Sequence, residues 1–171
     1  MIPSYSFHKI TDVSIDFIEN LGIKFLMLDL DNTIAAYDES SPADDVSRWA
    51  ADLRGVGVQL YIVSNSARKR RVWSFAKAMG IGKIMNARKP SPARLLKVMA
   101  ASGFTARESG LIGDQIFTDT LAANRAGIVS IIVRPRRFSN PLLALRFAFE
   151  APFRAACRNK MWKDGSRAGD Q

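Results

Sequence analysis

Two aspartates, Asp29 and Asp31, stand two positions apart at the end of a short apolar run. The run, residues 23–28, has the length and the apolar character of a strand that is buried on both faces. Because side chains in a strand alternate with a period of two, both carboxylates should leave it on the same side. Two like charges are costly to bury together unless a cation lies between them or one is protonated. A solvated turn after the strand explains the pair equally well at this point.

Ser64 and Lys89 are further candidates for contact with an anion. Ser64 follows the apolar run 58–63, where a hydroxyl can bind a phosphate oxygen or serve as an ordinary helix N-cap. Lys89 precedes Pro90 and can neutralise a phosphate or a carboxylate. On these residues alone the N-cap is the better interpretation of Ser64, and Lys89 does not stand out among 25 basic residues.

A second acidic segment follows the apolar run 111–113. Asp114 comes directly after that run, and Asp119 lies five residues further on. Carboxylate oxygens are the hard ligands that Mg²⁺ prefers in proteins. The segment is a candidate metal site, although the pattern is weak in isolation.

All four polar segments need a scaffold that brings strand ends together. Apolar runs at 23–28, 58–63, 111–113 and 129–133 are predicted strands, and the segments between them have the apolar periodicity and terminal Pro and Gly residues of helices. This alternation predicts an α/β fold, with a Rossmann-like, mainly parallel sheet and helices on both faces. In such sheets the ligand crevice lies outside the carboxyl ends of the strands, and the polar segments are expected to line it.

Together and in this order, the four segments resemble the signature of the haloacid dehalogenase-like phosphatase superfamily. That signature is Asp-x-Asp-x-Thr, then Ser or Thr, then Lys, then Gly-Asp-x-x-x-x-Asp. Its elements here are residues 29–33, Ser64, Lys89 and residues 113–119. The resemblance implies a Mg²⁺-dependent phosphomonoesterase that works through an aspartyl-phosphate intermediate.

The resemblance also implies a role for each matching residue. Asp29 would attack phosphorus, and Asp31 would protonate the leaving oxygen and then activate water. Mg²⁺ would be held by Asp29, the main-chain carbonyl of Asp31 and Asp114. Ser64 would hydrogen-bond a phosphoryl oxygen, and Lys89 would stabilise charge on the transferring group. The supporting residues would be Asp119, which orients Lys89 or a metal-bound water, together with Asn65 and Thr33.

The spacing of the motifs leaves no room for a cap domain. Asp31 and Ser64 lie 33 positions apart, and Ser64 and Lys89 lie 25 apart. Each gap holds one helix and one strand or turn. We therefore expect an open site, which in this superfamily accompanies large or surface-bound substrates.

Within the superfamily the chain is more similar to the small capless members of the YqeG type. These are bacterial relatives of the mitochondrial and plastid phosphatidylglycerophosphate phosphatases. The matching features are Gly22-Ile23-Lys24 ahead of the Asp-Leu-Asp-Asn-Thr motif, the stretch Ala87-Arg88-Lys89-Pro90, and the overall length. The match covers roughly residues 20–135, and it implies phosphatidylglycerophosphate as the substrate and phosphatidylglycerol as the product.

The C-terminal segment is more basic than the rest of the chain. We divide the protein into a phosphatase domain, residues 1–135, and a basic amphipathic extension, residues 136–171, which can also dock on that domain. The whole chain has a net charge of +9. The extension is expected to be helical from Pro141 and to restart at Pro152. Its apolar residues are Leu142, Leu145, Phe149, Phe153, Cys157 and Met161, and its basic ones are Arg146, Arg154, Arg158, Lys160 and Lys163.

Other interpretations remain open on the sequence. A helix of this composition suits the surface of an anionic membrane, nucleic acid, or the sheet of its own domain. The alternative enzyme is a phosphatase of a soluble sugar phosphate or a nucleic-acid end, and the alternative of another class is a non-catalytic binding or assembly module. One cysteine, no apparent signal peptide and no long apolar run predict a cytoplasmic protein, with possible peripheral contact at the inner face of a membrane. The oligomeric state is not predicted.

Overall fold

Six parallel strands form a single sheet. A computed structural model describes residues 1–137, 141–157 and 159 of the 171-residue chain. The strands are β1 (Tyr5–Ser6), β2 (Phe25–Leu28), β3 (Gln59–Val63), β4 (Gly82–Ile84), β5 (Ser109–Gly113) and β6 (Val129–Ile132). They lie in the order β1-β6-β5-β2-β3-β4, and each neighbouring pair is parallel.

Helices cover both faces of the sheet. They are α1 (Ile15–Asn20), α2 (Asp44–Gly55), α3 (Lys69–Met79), α4 (Ala93–Ala101), α5 (Leu121–Ala126) and α6 (Pro141–Ala155). Strand β2 shows why two layers are needed, because all four of its residues are buried. Leu26 and Leu28 join a core with side chains of α1, α2 and α3, whereas Phe25 and Met27 join a second core with side chains of α4 and α5. The α/β fold expected from the sequence is confirmed.

The register of the central strands brings their carboxyl ends level. Leu28, the last residue of β2, pairs with Ile62 of β3 on one side and with Ile112 of β5 on the other. The chain leaves β2 toward β3 but returns later to add β5 on the opposite side, so a crevice opens between the loops at this edge. The segments that follow β2, β3 and β5 therefore meet at one place.

Strands β1 and β4 were not predicted from the sequence. Strand β1 has only two residues, and β4 has three that are each half-buried, so neither forms an apolar run that periodicity can detect. The helix predicted between the apolar runs 111–113 and 129–133 begins as a wide π-helical turn at Ile116–Thr120, which continues into α5. Pro152 was expected to restart the C-terminal helix, but it lies inside α6, which is continuous through it.

The expected absence of a cap domain agrees with the path of the chain. Between Asp31 and Lys89, a stretch that the structure describes throughout, the only regular elements are α2, β3, α3 and β4.

Among the helices of the described residues, none has the length and hydropathy that a membrane span requires.

Candidate active site

Three buried carboxylates meet at the carboxyl edge of the sheet. Asp29 follows β2, Asp114 follows β5, and Asp119 lies in the turn after β5. One carboxylate oxygen from each lies within 4.8 Å of the others, and all three residues are buried. Hard oxygen ligands this close together form a donor set for a divalent cation.

Small neighbours make this close approach possible. A Cβ atom on Gly113 would lie 2.4 Å from the Cβ of Asp119, so only glycine lets the turn fold back onto the end of β5. Thr33 lies on the other side of the cluster. Its hydroxyl oxygen is 3.5 Å from Oδ2 of Asp29 and 3.5 Å from Oδ1 of Asp114, so it contacts both carboxylates at the limit of a hydrogen bond.

Lys89 supplies the positive charge inside the cluster. Its Nζ lies 2.6 Å from Oδ1 of Asp29 and 2.6 Å from Oδ1 of Asp119, and it donates to the carbonyl of Val63 at 2.7 Å. The lysine side chain is only 1% exposed. The predicted pairing of Asp119 with Lys89 is therefore present in the geometry.

The raised pKa values of Asp29 and Asp114 indicate an excess of buried negative charge. Burial raises the pKa of Asp29 from 3.8 to about 7, with Lys89 opposing the shift and the charge of Asp119 adding to it. Burial also raises the pKa of Asp114 well above its ordinary value, assisted by the charges of Asp29 and Asp119. For Lys89, burial acts against the charge but the two aspartates outweigh it and raise the pKa. One lysine does not compensate three carboxylates, which is the electrostatic condition that a bound divalent cation relieves.

Asp31 is not one of the three clustered carboxylates, and an arginine holds it. Nη1 of Arg71, on α3, donates to Oδ1 of Asp31, and Nη2 donates to the carbonyl of Ala36 at 2.6 Å. The guanidinium also lies over the ring of Phe75, 4.8 Å from its centroid. Sequence reasoning missed Arg71, because nothing local distinguishes it within the basic run 68–71. The Asp31 side chain is 14% exposed and lines the same cavity as Asp29.

Asn65 fixes the segment that carries Lys89. Its Nδ2 donates to the carbonyl of Lys89 at 2.8 Å, and its Oδ1 accepts from the main-chain N–H of Lys89 at 2.9 Å. The hydroxyl of the neighbouring Ser64 accepts from the N–H of Ser66 at 2.9 Å. The N-cap interpretation of Ser64 is wrong, because α3 begins only at Lys69.

An open cavity of about 350 Å³ gives access to the cluster. Its walls include Asp29, Asp31, Tyr37, Asn65, Lys89 and Arg146. A larger cavity of about 680 Å³ shares the 33–39 turn but is lined by none of the three clustered aspartates. The smaller cavity is therefore the candidate active site.

Helix α6 reaches this site through Glu150 and Arg154. Glu150 is 1% exposed, and its Oε1 accepts from the N–H groups of Ile116 at 2.9 Å and Phe117 at 3.5 Å. Arg154 pairs with Oε2 of Glu150 at 3.0 Å and donates to the main-chain carbonyl of Asp114. Arg154, one of the basic residues of the predicted extension, is directed at the loop that carries Asp114.

The opposite face of α6 is exposed. Leu142, Leu145 and Phe149 are 75%, 54% and 65% exposed. The helix is thus docked by a polar face and presents the apolar face that the sequence predicted. Cys157, expected on that apolar face, is instead buried. Four residues of the predicted basic amphipathic stretch, Arg158, Lys160, Met161 and Lys163, lie outside the described residues.

The fold and the site define a Rossmann-like α/β enzyme with a cluster of buried carboxylates and a buried lysine. The chain belongs to the haloacid dehalogenase-like hydrolases, whose family model matches residues 5–127. It is 29% identical over 134 residues to the probable phosphatase YqeG of Bacillus subtilis (strain 168), covering 78% of this chain and 77% of that protein. The resemblance to this family is confirmed.

Solved structures share the fold. The 3-deoxy-D-manno-octulosonate 8-phosphate phosphatase of Moraxella catarrhalis, in complex with magnesium, phosphate and its sugar, superposes with a TM-score of 0.56 at 19% identity, covering 88% of this chain and 83% of that one. The cobalt-bound phosphatase for the same type of substrate from Haemophilus influenzae gives 0.55 at 18% identity, covering 82% and 78%. These likenesses establish a common architecture for the sheet and its helices.

Proposed function

We propose that this hydrolase is a Mg²⁺-dependent phosphomonoesterase that acts through a covalent intermediate on Asp29. The observation that carries the proposal is the cluster of Asp29, Asp114 and Asp119, in which the ammonium group of Lys89 contacts Asp29 and Asp119. A carboxylate beside a cation, at the end of a strand and facing an open cavity, is placed to attack an anionic phosphorus centre. The match to a probable phosphatase supports the same chemistry.

The reaction would proceed in two steps, formation of the aspartyl-phosphate and its hydrolysis. An oxygen of Asp29 forms a bond to phosphorus while the bond to the leaving oxygen breaks, and Asp31 gives that oxygen its proton. Asp31 then takes a proton from water, whose oxygen attacks phosphorus and releases phosphate and free Asp29. Lys89 stabilises charge on the phosphoryl oxygens, with Asp119 holding its ammonium group. Arg71 keeps Asp31 at the cavity wall, where the leaving oxygen must emerge.

The donor set fits Mg²⁺. Asp29, Asp114 and the main-chain carbonyl of Asp31 would hold the ion, and it would supply the positive charge that the cluster lacks and offset repulsion between nucleophile and phosphate. The raised pKa values of Asp29 and Asp114 are the observation that supports this assignment.

Phosphatidylglycerophosphate is the substrate that the surroundings of the site favour. The cavity is open and has no cap, and an apolar surface on α6 lies against it, lined by Leu142, Leu145, Phe149, Phe117 and Phe153. A soluble sugar phosphate has no apolar part that would contact such a surface, whereas a lipid in its bilayer does. We accordingly place the protein at the inner face of an anionic membrane, held by this surface and by its net charge of +9.

Phosphate release tests the proposal directly. The substrates are phosphatidylglycerophosphate in mixed micelles, soluble sugar phosphates, and oligonucleotides with a 3′- or 5′-phosphate, with and without Mg²⁺. We expect Mg²⁺-dependent release with a strong preference for the lipid, and a loss of about a thousandfold or more in Asp29→Asn. If a soluble compound or an oligonucleotide is preferred, the lipid assignment is wrong and the phosphatase assignment stands. Release that is equal in Asp29→Asn would overturn the catalytic role of Asp29, and no release from any compound would favour a binding module.

A further inference from the structure

We propose that Arg146 binds a second anionic group of the substrate, located between the phosphomonoester and the apolar part of the molecule. Arg146 would thereby select phosphate esters that carry two negative groups over simple monoesters. The inference deepens the proposed function and rests on it.

The position of Arg146 is the first observation. Its side chain lines the cavity that contains Asp29 and Lys89, and it also lines the apolar surface formed by Leu145 and Phe149. Arg146 is shared by the two surfaces. A ligand that extends from the catalytic cavity onto the apolar face of α6 must pass this guanidinium.

The charge that Arg146 has available is the second observation. Lys89, the other cation in the cavity wall, is committed to two carboxylates. Nε of Arg146 lies 3.4 Å from Oε1 of Glu150, which already accepts from the N–H of Ile116. The other oxygen of Glu150 is paired with Arg154. Glu150 is therefore already bonded by Arg154 and by the N–H of Ile116, and its contact with Arg146 is an additional one.

The guanidinium ends of Arg146 remain accessible. Its side chain is 32% exposed, and among the described residues no hydrogen bond engages its two terminal nitrogens. A guanidinium offers two parallel N–H groups that match the oxygens of a phosphate or carboxylate. The position, the open donors and the apolar surface beyond them together describe the ligand. It carries a terminal phosphomonoester, an internal phosphodiester next to it, and acyl chains after that.

A series of three substrates separates these contacts. Glycerol 3-phosphate has the monoester alone, glycerophosphoglycerol phosphate adds the phosphodiester, and phosphatidylglycerophosphate adds the acyl chains. We expect Arg146→Gln to raise the KM for the two larger substrates about tenfold, the loss of one charged contact, with kcat and the kinetics on glycerol 3-phosphate unchanged. Arg146→Lys should recover part of the loss, because the charge remains while the paired donors do not.

Two variants serve as controls. Arg107→Gln removes an equal charge from an exposed residue ahead of β5, at the opposite edge of the sheet, and should leave all three substrates unaffected. The double variant L145S/F149S should impair only phosphatidylglycerophosphate, since the other two substrates have no acyl chains.

The outcomes distinguish this inference from the proposed function. If Arg146→Gln weakens all three substrates equally, or weakens none, Arg146 does not read a second anion, and the inference is wrong while the phosphatase assignment stands. If the wild-type protein hydrolyses glycerol 3-phosphate but neither larger compound, the lipid assignment fails and the inference fails with it. Thermal unfolding of each variant shows that the comparison is made on folded protein.

Discussion

At the scale of single residues, the main feature of the site is that three acidic side chains are buried close together. Asp29, Asp114 and Asp119 are buried with carboxylate oxygens within 4.8 Å of one another, and one lysine opposes their charge. Removing carboxylates from water costs several kcal/mol per charge unless partners replace the lost solvent. Grouping these carboxylates therefore lowers the stability of the metal-free protein, and a bound cation would restore that stability. Two predictions follow from that imbalance.

Asp114→Asn should stabilise the metal-free protein. Asp114 has a raised pKa and no ion pair as close as those of Asp29 and Asp119, so the neutral amide removes repulsion with little loss. Relief of about 1 kcal/mol raises Tm by about 3 °C in a domain of this size. The measurement is thermal unfolding at pH 8 in EDTA and again with Mg²⁺, which should stabilise the wild type and not the variant. Asp52→Asn, at an exposed position on α2, is the matched control. A lower Tm for Asp114→Asn in EDTA would contradict the charge argument.

The stability of the metal-free protein should fall as the pH rises from 5 to 8. The pKa of Asp29 is about 7 in the folded state against an ordinary 3.8, so the native protein binds the extra proton between those values. The stability contributed by the protonated form is complete below about pH 4 and is lost as the pH rises through 7. Thermal unfolding in EDTA at pH 6 and pH 8 measures the slope, and Asp29→Asn should have a shallower one. Equal slopes in the two proteins would refute the assignment to Asp29.

At the scale of elements, α6 joins the catalytic loop to the surface. Its polar face presents Glu150 to the N–H groups of Ile116 and Phe117, and Arg154 to the carbonyl of Asp114. These contacts fix the main chain on both sides of a carboxylate in the cluster. An element that follows the six-stranded sheet thus helps to set the position of Asp114.

Glu150→Gln should weaken both folding and Mg²⁺ binding. The amide leaves Arg154 without its charged partner in a buried place, a change that costs about 3 kcal/mol. Groups that orient metal ligands typically change metal affinity by about tenfold or more, so half-saturation of activity should need about ten times more Mg²⁺. Denaturant unfolding and Mg²⁺ titrations give the two quantities.

Glu108→Gln supplies the comparison for this prediction. Glu108 pairs with Lys24 at 2.9 Å, but the pair is solvent-exposed and lies at the opposite edge of the sheet. Its removal should change neither quantity appreciably, since exposed ion pairs contribute little. If Glu150→Gln lowers stability and leaves the Mg²⁺ requirement unchanged, Glu150 supports the fold and not the metal site.

At the scale of the whole molecule, the proposed binding to a membrane rests on charge and on apolar surface. The net charge is +9, and the exposed Leu142, Leu145 and Phe149 lie beside an active-site cavity that no cap covers. An anionic bilayer offers opposite charge and an apolar interior at one surface. The protein should therefore bind such a surface with its active site facing the lipid headgroups.

L145S/F149S should lose vesicle binding and keep its fold. Both side chains are more than half exposed, so their removal leaves the core intact. Burial of two such groups in a bilayer contributes about 3 kcal/mol or more, so affinity for phosphatidylglycerol vesicles should fall about a hundredfold or more. Vesicle flotation at two salt concentrations measures this. Val56→Ser, an exposed apolar residue after α2, should bind as the wild type does. Loss of fold in L145S/F149S would show that the face is part of the core.

The sequence by itself was enough to locate the site, because the patterns that mark it are short-range. Asp29, Ser64 and Asp114 each follow an apolar run, and parallel strands put their carboxyl ends at one edge, so the meeting of these three strand ends could be predicted from the order of the segments. Lys89 was placed by the resemblance to a family motif. Strands β1 and β4 were not predicted, because two or three residues are too few to show a periodic pattern of apolar side chains.

Only the tertiary structure decided which distant groups complete the site. Arg71 contacts Asp31 across 40 positions, and Glu150 contacts Ile116 across 34. Nothing near Arg71, Arg146 or Glu150 in the chain marks them, because periodicity reports which face of a helix is apolar and not what its polar face meets. The roles of the two faces of α6 were likewise undecided until the sheet and the helix were placed together. A motif specifies residue types along the chain, whereas contacts between charges depend on how separate segments pack in three dimensions.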